Sequence, residues 1–533
     1  MRWCAPVSAL EVSAILLATT ALALLLFALR LRGLPRGVSL DWWLTTFAVV
    51  VVGVLAFALA RELAGEIALS FFLLAIVAPM RLDARALRAG ARGELARAER
   101  LARLAAVLHP FGLIRRRPSA LRSLARLREG VPLDDAALHA VGAKDDPILA
   151  ELYRLVSFDA LGEPSALLEA LAVPSRRQRM LVLGLGAAWI RAVAERCDRG
   201  AVVDAIRAAE REDATLVDPD RLLSFLLDAE AALGDVDGAD ALAASLTGRA
   251  EPAELARARI VARIQAGDRR GARALLDEAA KEPWGSRPAI ARLSRRLLVE
   301  HSAIGSSTEA EALRTHLREE AVAVNALSPL SGPTRRAAPL TIVTVALLGV
   351  VFAIEAWTGD TTSTEHLFAL GALVVPPRDA GDWPRVFSAA FLHAGFFHLA
   401  FNAASLVAFG RFVETFFGRL GYALIYLASI VGSAGLVLAL ATPGAPKVLV
   451  GASGAIFGLF GAYLAAVGTR AELRRSRRGR EQLRVYLLLV GAQLALEQLL
   501  PQIATSAHVG GLLTGALVGA VLARSRRLAA PIG

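Results

Sequence analysis

The sequence predicts an all-α protein: a polytopic membrane bundle with a six-span core near its C-terminal end, a cytoplasmic helical, repeat-like domain before it, and membrane helices at the N-terminus. Three observations lead there. Apolar residues make up 55% of the chain and the mean hydropathy is positive, above the range of soluble globular domains. Apolar runs of membrane-crossing length gather at the two ends of the chain. Between them lies a stretch rich in Ala, Leu, Arg and Glu, with apolar residues three and four positions apart, the spacing of an amphipathic helix.

Residues 1–80 form the N-terminal membrane segment. It holds apolar runs at Val12–Leu29, Trp42–Ala60 and Ile67–Met80. The first two are long enough for a hydrocarbon layer of about 30 Å, and the third is marginal. It is read as a third span, with an interfacial helix as the alternative. A single Arg before the first run, Glu11 near its start and Arg30, Arg32 and Arg36 after it fit a retained span better than a cleaved leader.

Residues 81–337 form the helical domain. Ala232-Leu233-Gly234-Asp235 and Gln265-Ala266-Gly267-Asp268 are alike, and Leu242 and Leu275 keep the offset of 33 positions that separates Gly234 from Gly267. A helical hairpin repeating at that period resembles a tetratricopeptide repeat. Leu161-Gly162-Glu163 is a candidate earlier copy. An irregular helical domain with two similar turns is the alternative. A helical repeat domain would bind protein partners. His109, His139, His301 and His316 lie scattered there without motif partners.

Residues 338–525 form the six-span core and residues 526–533 a cytoplasmic tail. The apolar runs are Leu340–Trp357, Ala390–Phe409, Tyr422–Leu440, Leu449–Val467, Val485–Leu500 and Ala507–Leu522. Arg411 and Arg419 flank the second connection, Arg470–Arg484 is densely basic, and Arg524, Arg526 and Arg527 follow the last run. The first connection instead carries Asp360, Glu365, Asp379 and Asp382. Positive loops stay in the cytoplasm. The even-numbered connections and the C-terminus are therefore expected inside, and Arg30–Arg36 and Arg81–Arg92 put the helical domain there too. The expected location is a bacterial plasma membrane, with the site below opening outward.

The net charge is +11, but acidic and basic residues mix through the middle of the chain, so no one-sided stripe for nucleic acid is expected. The two cysteines, Cys4 and Cys197, support neither a disulfide framework nor a cysteine metal site. No cofactor is expected.

Polar residues within apolar runs are costly in lipid, so each raises a functional question. Gly451-Ala452-Ser453-Gly454-Ala455-Ile456-Phe457-Gly458 opens the fourth run. Its glycines either let a backbone or substrate approach a nucleophilic Ser453 or serve helix packing alone. His508 opens the sixth run and is followed by Gly511, Gly515 and Gly519. If this glycine face meets that of the fourth run, His508 stands beside Ser453 as a base; an interhelical hydrogen bond is the plainer role. In the second run, His398 and Asn402 are four apart and share a helix face. They are either donors for an oxyanion, a metal pair or a polar clamp.

These residues resemble the rhomboid family of intramembrane serine proteases. The Gly-Ala-Ser-Gly-Ala-Ile-Phe-Gly stretch, His398-xxx-Asn402 and Ala507-His508-x-Gly510-Gly511 occur in family order on the matching spans, within 339–524. The resemblance implies a Ser453–His508 dyad without an acidic third member, and an oxyanion hole of His398, Asn402 and the Ser453 N–H. It gives Gly451 and Gly454 supporting places, stacks Phe457 on His508, and leaves His393 a structural hydrogen-bonding role. It also implies transmembrane protein substrates within the bilayer. Pro384, between Trp383 and Arg385, departs from the family's adjacent Trp-Arg.

The fifth run contains Gln493, Glu497 and Gln498. Glu497 is read as hydrated near the outer interface, with a substrate entry path as the alternative. Two other functions compete. One is a silent rhomboid-like scaffold, which a broken dyad would mark. The other is a metal-dependent protein using His366, His393, His398 and His508, for which the chain lacks a His-Glu-x-x-His motif.

Overall fold

The computed structural model describes residues 9–31, 36–141, 147–195, 199–213, 216, 218–297, 307–327, 338–375, 380–441, 447–497 and 505–525. Gln498, Asp379, His301 and the tail 526–533 lie outside them. The chain divides into two compact units, residues 9–321 and residues 322 onward. Among the described residues both are helical, apart from one short pair of strands in the second. Among the described residues, five helical stretches are long and apolar enough to cross a membrane.

In the first unit, helices Ala9–Leu31 and Arg36–Leu59 carry the first two apolar runs. The third run does not stop where its apolar residues do. A continuous helical stretch, Arg61–Ala91, contains it and passes through a π-helical turn at Leu73–Val77. Its marginal length in the sequence reflects where charge begins, not where helix ends. Ser13 ties this stretch to the first helix: its hydroxyl accepts from the Gly65 N–H (2.9 Å) and donates to the Arg61 carbonyl (2.8 Å).

The two similar turns lie in two helical hairpins. Pro219–Leu233 and Val236–Leu246 form one, Pro252–Ala266 and Arg269–Ala279 the other. Every boundary repeats at an offset of 33. Gly234 and Gly267 end the first helix of each pair with φ of 72° and 80°, a conformation that favours glycine. Asp235 and Asp268 then cap the next helix through the N–H of Gly238 (3.0 Å) and Gly271 (2.9 Å). The earlier candidate copy shares less. Gly162 also has positive φ, but the helix after it is only Pro164–Ala170 and its N-cap, Glu163, makes no side-chain cap.

The second unit places each apolar run of the core on a helix. Pro339–Thr358 is the first. Phe396–Ala439 holds the second and third as two arms meeting at Gly418, whose φ of 72° breaks the helix. The fourth is Ser453–Thr469, the fifth Arg477–Glu497 and the sixth Thr505–Ser525. Two apolar runs begin earlier than their helices. Residues 392–395 are not helical, with Gly395 at φ 88° just before the second helix. Residues 447–449 form a strand pairing antiparallel with Leu373–Val375, an element absent from the all-α expectation.

Two buried carboxylates fix the first core helix. Glu414, in the second helix, accepts from the N–H groups of Leu340 (3.0 Å) and Thr341 (2.7 Å) and from the Thr341 hydroxyl (2.8 Å). It thus caps donors that a helix start leaves unpaired. Glu355, near the other end, accepts from the His393 N–H. The first connection is held by Arg385, which donates to the carbonyls of Phe368 (2.7 Å) and Ala372 (3.2 Å) and pairs with Asp382 (3.0 Å). The inserted Pro384 leaves that anchor intact.

Candidate active site

The site is set by backbone contact between the fourth and sixth helices. A side chain at Gly511 would collide with the Gly454 carbonyl, and one at Gly515 with the backbone of Gly458. At Gly519 a Cβ would come within 2.7 Å of Ala462 Cα. Glycine on both faces removes that obstacle, and the helices close to the distance small-residue motifs permit. Ser453 is the first residue of the fourth helix and His508 lies in the first turn of the sixth. The close packing therefore brings two helix beginnings together at one depth.

There, Ser453 Oγ and His508 Nε2 are 2.7 Å apart. The Phe457 ring lies one helical turn beyond Ser453 and stacks on the His508 imidazole, with centroids 4.3 Å apart and planes within 2°. This contact leaves the imidazole little rotational freedom. His508 is 7% exposed.

The other nitrogen of His508 meets a carboxylate. Glu497 Oε1 lies 2.8 Å from His508 Nδ1 and also accepts from Gln493 Nε2 at 3.1 Å. This corrects two expectations. Glu497 is 2% exposed, so it is not hydrated at an interface, and His508 has an acidic neighbour after all. Linear sequence hid the pairing, because Glu497 ends the fifth helix and meets His508 only when that end packs against the sixth.

Beside Gly451, two residues before Ser453, the second helix places Asn402 and His398. Asn402 is 6% exposed, and among the described residues its Nδ2 has no hydrogen-bond partner. An unpaired buried donor costs about 1–3 kcal/mol, so a built-in one invites an acceptor. Gly451 makes room for both side chains. Its φ is 113°, and a Cβ there would lie 2.8 Å from the His398 ring and 3.5 Å from Asn402 Nδ2. The Gly451 N–H is held by the Ala389 carbonyl at 2.8 Å. The Ser453 N–H, at the helix start, has no partner within its helix.

His393 is buried beside these groups, its ring edge-on to His398 with centroids 5.2 Å apart. Its Nδ1–H donates to the Phe391 carbonyl at 3.1 Å, and its backbone N–H reaches Glu355. His366 lies elsewhere, on the Glu355 carbonyl (3.1 Å). Sequence reasoning passed over Glu355 and Glu414. The signal was available in both cases: an acidic residue inside an apolar run needs a partner.

Residues 380–525 match the family described as Rhomboid domain. Among curated proteins, the chain is 37% identical over 139 residues to "Putative rhomboid protease YdcA" of Bacillus subtilis (strain 168). That stretch is 26% of this chain and 66% of the relative. It is 34% identical over 184 residues to "Rhomboid protease GluP" of the same organism, 34% of each chain. It is also 39% identical over 94 residues to "Inactive RHOMBOID-like protein 8" of Arabidopsis thaliana, 17% of this chain and 26% of that one. The chain thus spans less than two thirds of the length of each of these relatives. No solved structure matches the chain.

Proposed function

Because residues 380–525 are a rhomboid domain in a multi-pass membrane protein, we propose that this chain is an intramembrane serine endopeptidase that cleaves transmembrane segments of other membrane proteins. The 2.7 Å approach of Ser453 Oγ to His508 Nε2 carries the reading. A serine hydroxyl is a weak nucleophile until a base takes its proton, and a neutral imidazole at hydrogen-bond distance can do so.

In this mechanism Ser453 Oγ attacks the scissile carbonyl while its proton passes to His508 Nε2. The oxyanion that forms is met by Asn402 Nδ2, His398 and the Ser453 N–H, donors in place before the charge develops. The imidazolium then protonates the leaving amine nitrogen. Water, activated by the same imidazole, hydrolyses the acyl-enzyme and frees Ser453. Phe457 keeps the imidazole plane fixed throughout. Gly451 and Gly454 keep the approach open, and His393 supports His398 from behind. No residue in this scheme calls for a metal or a cofactor.

The N-terminal helical region is proposed as a cytoplasmic module of tetratricopeptide-like hairpins that recruits protein substrates or regulators. The matching 33-residue hairpins support it, since stacked hairpins build concave peptide-binding surfaces. The location proposed is a bacterial plasma membrane, with the site opening to the outer face.

The test uses purified full-length protein in liposomes with a single-span model substrate and a fluorophosphonate probe. Wild type should cleave the substrate and take up the probe at Ser453. Ser453→Ala and His508→Ala should do neither while unfolding at wild-type temperature. Full activity in Ser453→Ala would refute the serine mechanism. A wild-type protein inert to both substrate and probe would favour a silent scaffold that binds membrane helices, the state named for one of the relatives.

A further inference from the structure

We infer that Glu497 is a positioning residue for His508, so that the site works as a Ser453–His508–Glu497 series and not as a bare dyad. The inference rests on the protease reading and adds a third group to it.

The geometry supplies the argument. Glu497 Oε1 is 2.8 Å from His508 Nδ1, and Ser453 Oγ is 2.7 Å from Nε2 on the opposite edge of the same ring. A neutral imidazole has one N–H and one lone pair. A carboxylate oxygen accepts, so the proton belongs on Nδ1. The lone pair then belongs on Nε2, facing the serine hydroxyl. Without an acceptor at Nδ1 the other tautomer becomes available, with an N–H pointed at Ser453 and no base to take its proton.

The carboxyl is itself held for this contact. Gln493, one turn earlier on the fifth helix, donates to the same oxygen at 3.1 Å. Among the described residues the other oxygen, Oε2, has no hydrogen-bond partner, so His508 and Gln493 anchor the group. Glu497 is 2% exposed. A carboxylate taken out of water is costly unless paired, and here the pairing partner is the base. When Ser453 transfers its proton, His508 becomes an imidazolium with Nδ1–H still on Glu497. The negative charge stabilises that cation, and the carboxylate takes no proton. The proton gained at Nε2 leaves later with the amine product.

Two substitutions of similar size separate this from a packing or entry-path role. Glu497→Leu removes acceptor and charge, whereas Glu497→Gln removes the charge but keeps an acceptor. With the liposome assay, Glu497→Leu should lower kcat on the order of 100-fold or more, by analogy with the loss of an orienting carboxylate from a serine triad. Glu497→Gln should lose kcat on a similar order, because its amide can turn an N–H toward Nδ1 and hold the other tautomer. KM should change little in either. The rate of fluorophosphonate labelling at Ser453, which requires no transmembrane substrate, should fall in both. In histidine-labelled protein, nitrogen NMR should show the His508 Nδ1–H form in wild type and a tautomer mixture in Glu497→Leu. If Glu497→Leu fails to fold, Glu497→Gln alone decides through its kcat and labelling rate. Wild-type kcat and labelling in a folded variant, or a change confined to KM, would overturn the inference. Loss of the protease reading would look different, because wild type itself would then fail to cleave.

Discussion

At the scale of single residues, the site joins groups whose burial makes sense only in combination. Among the described residues the buried Asn402 amide has no acceptor for its Nδ2 donor, a state that calls for an explanation, and an oxyanion arriving with the substrate would supply one. Removing one such donor typically costs about 10²–10³ in rate. Asn402→Ala should therefore lower turnover of the model substrate by about 100-fold, while fluorophosphonate still labels Ser453 more slowly. The same loss is expected of His398→Ala if it shares the work. Unchanged turnover in both variants would remove the oxyanion assignment. In the sequence these residues were legible because His398 and Asn402 sit four apart in an apolar run. Glu497 is visible only as a polar residue in an apolar run, because its partner is eleven positions away across a helix boundary.

At the scale of helices, the determining contact is between the glycine faces of the fourth and sixth. The spacing of Gly511, Gly515 and Gly519 announced a face made for close approach, and the fourth helix proved to be what it meets. Introducing side chains at such a contact forces backbone shifts, which cost about 1–3 kcal/mol or more. Gly515→Val should lower the unfolding temperature in detergent and abolish Ser453 labelling, since the two helix beginnings would separate. Gly349→Val, on the first core helix where a Cβ would meet nothing within 4 Å, should do neither. Normal labelling in Gly515→Val would show that the dyad geometry does not depend on this packing. The short strand pair, Leu373–Val375 with Lys447–Leu449, is not legible, because apolar runs of two or three residues look the same at the start of a span as in a strand.

At the scale of the whole molecule, the distribution of charge gives a testable topology. Arg411 and Arg419, Arg470–Arg484 and Arg524 lie after even-numbered spans of the core, and Arg81–Arg92 follows the N-terminal runs. Because cytoplasmic loops retain positive charge, cysteines introduced at residues 81–92 and 470–484 should resist an impermeant maleimide in intact cells. Cysteines near Asp360 should react, with Cys4 and Cys197 replaced throughout. Labelling of 470–484 from outside would reverse the proposed orientation and put Ser453 toward the cytoplasm. The same charges end the third N-terminal apolar run at Met80, whereas the helix continues to Ala91. Charge reports where lipid ends and leaves the helix boundary to backbone hydrogen bonding.

The sequence by itself determined what is periodic or local: the apolar runs, the Gly-Asp turns at an offset of 33, the glycine faces, and the residue types and order of Ser453, His508, His398 and Asn402. Each depends on lipid thickness, helix pitch or backbone freedom, which act over a few neighbouring residues. Tertiary structure alone decided which distant groups share a proton or a carbonyl. It brought Glu414 to the start of the first core helix, Glu355 to His393, and Glu497 to the far edge of the His508 ring. These pairings are set by how helices pack against one another, and a carboxylate in an apolar run says only that it needs a partner, not which one.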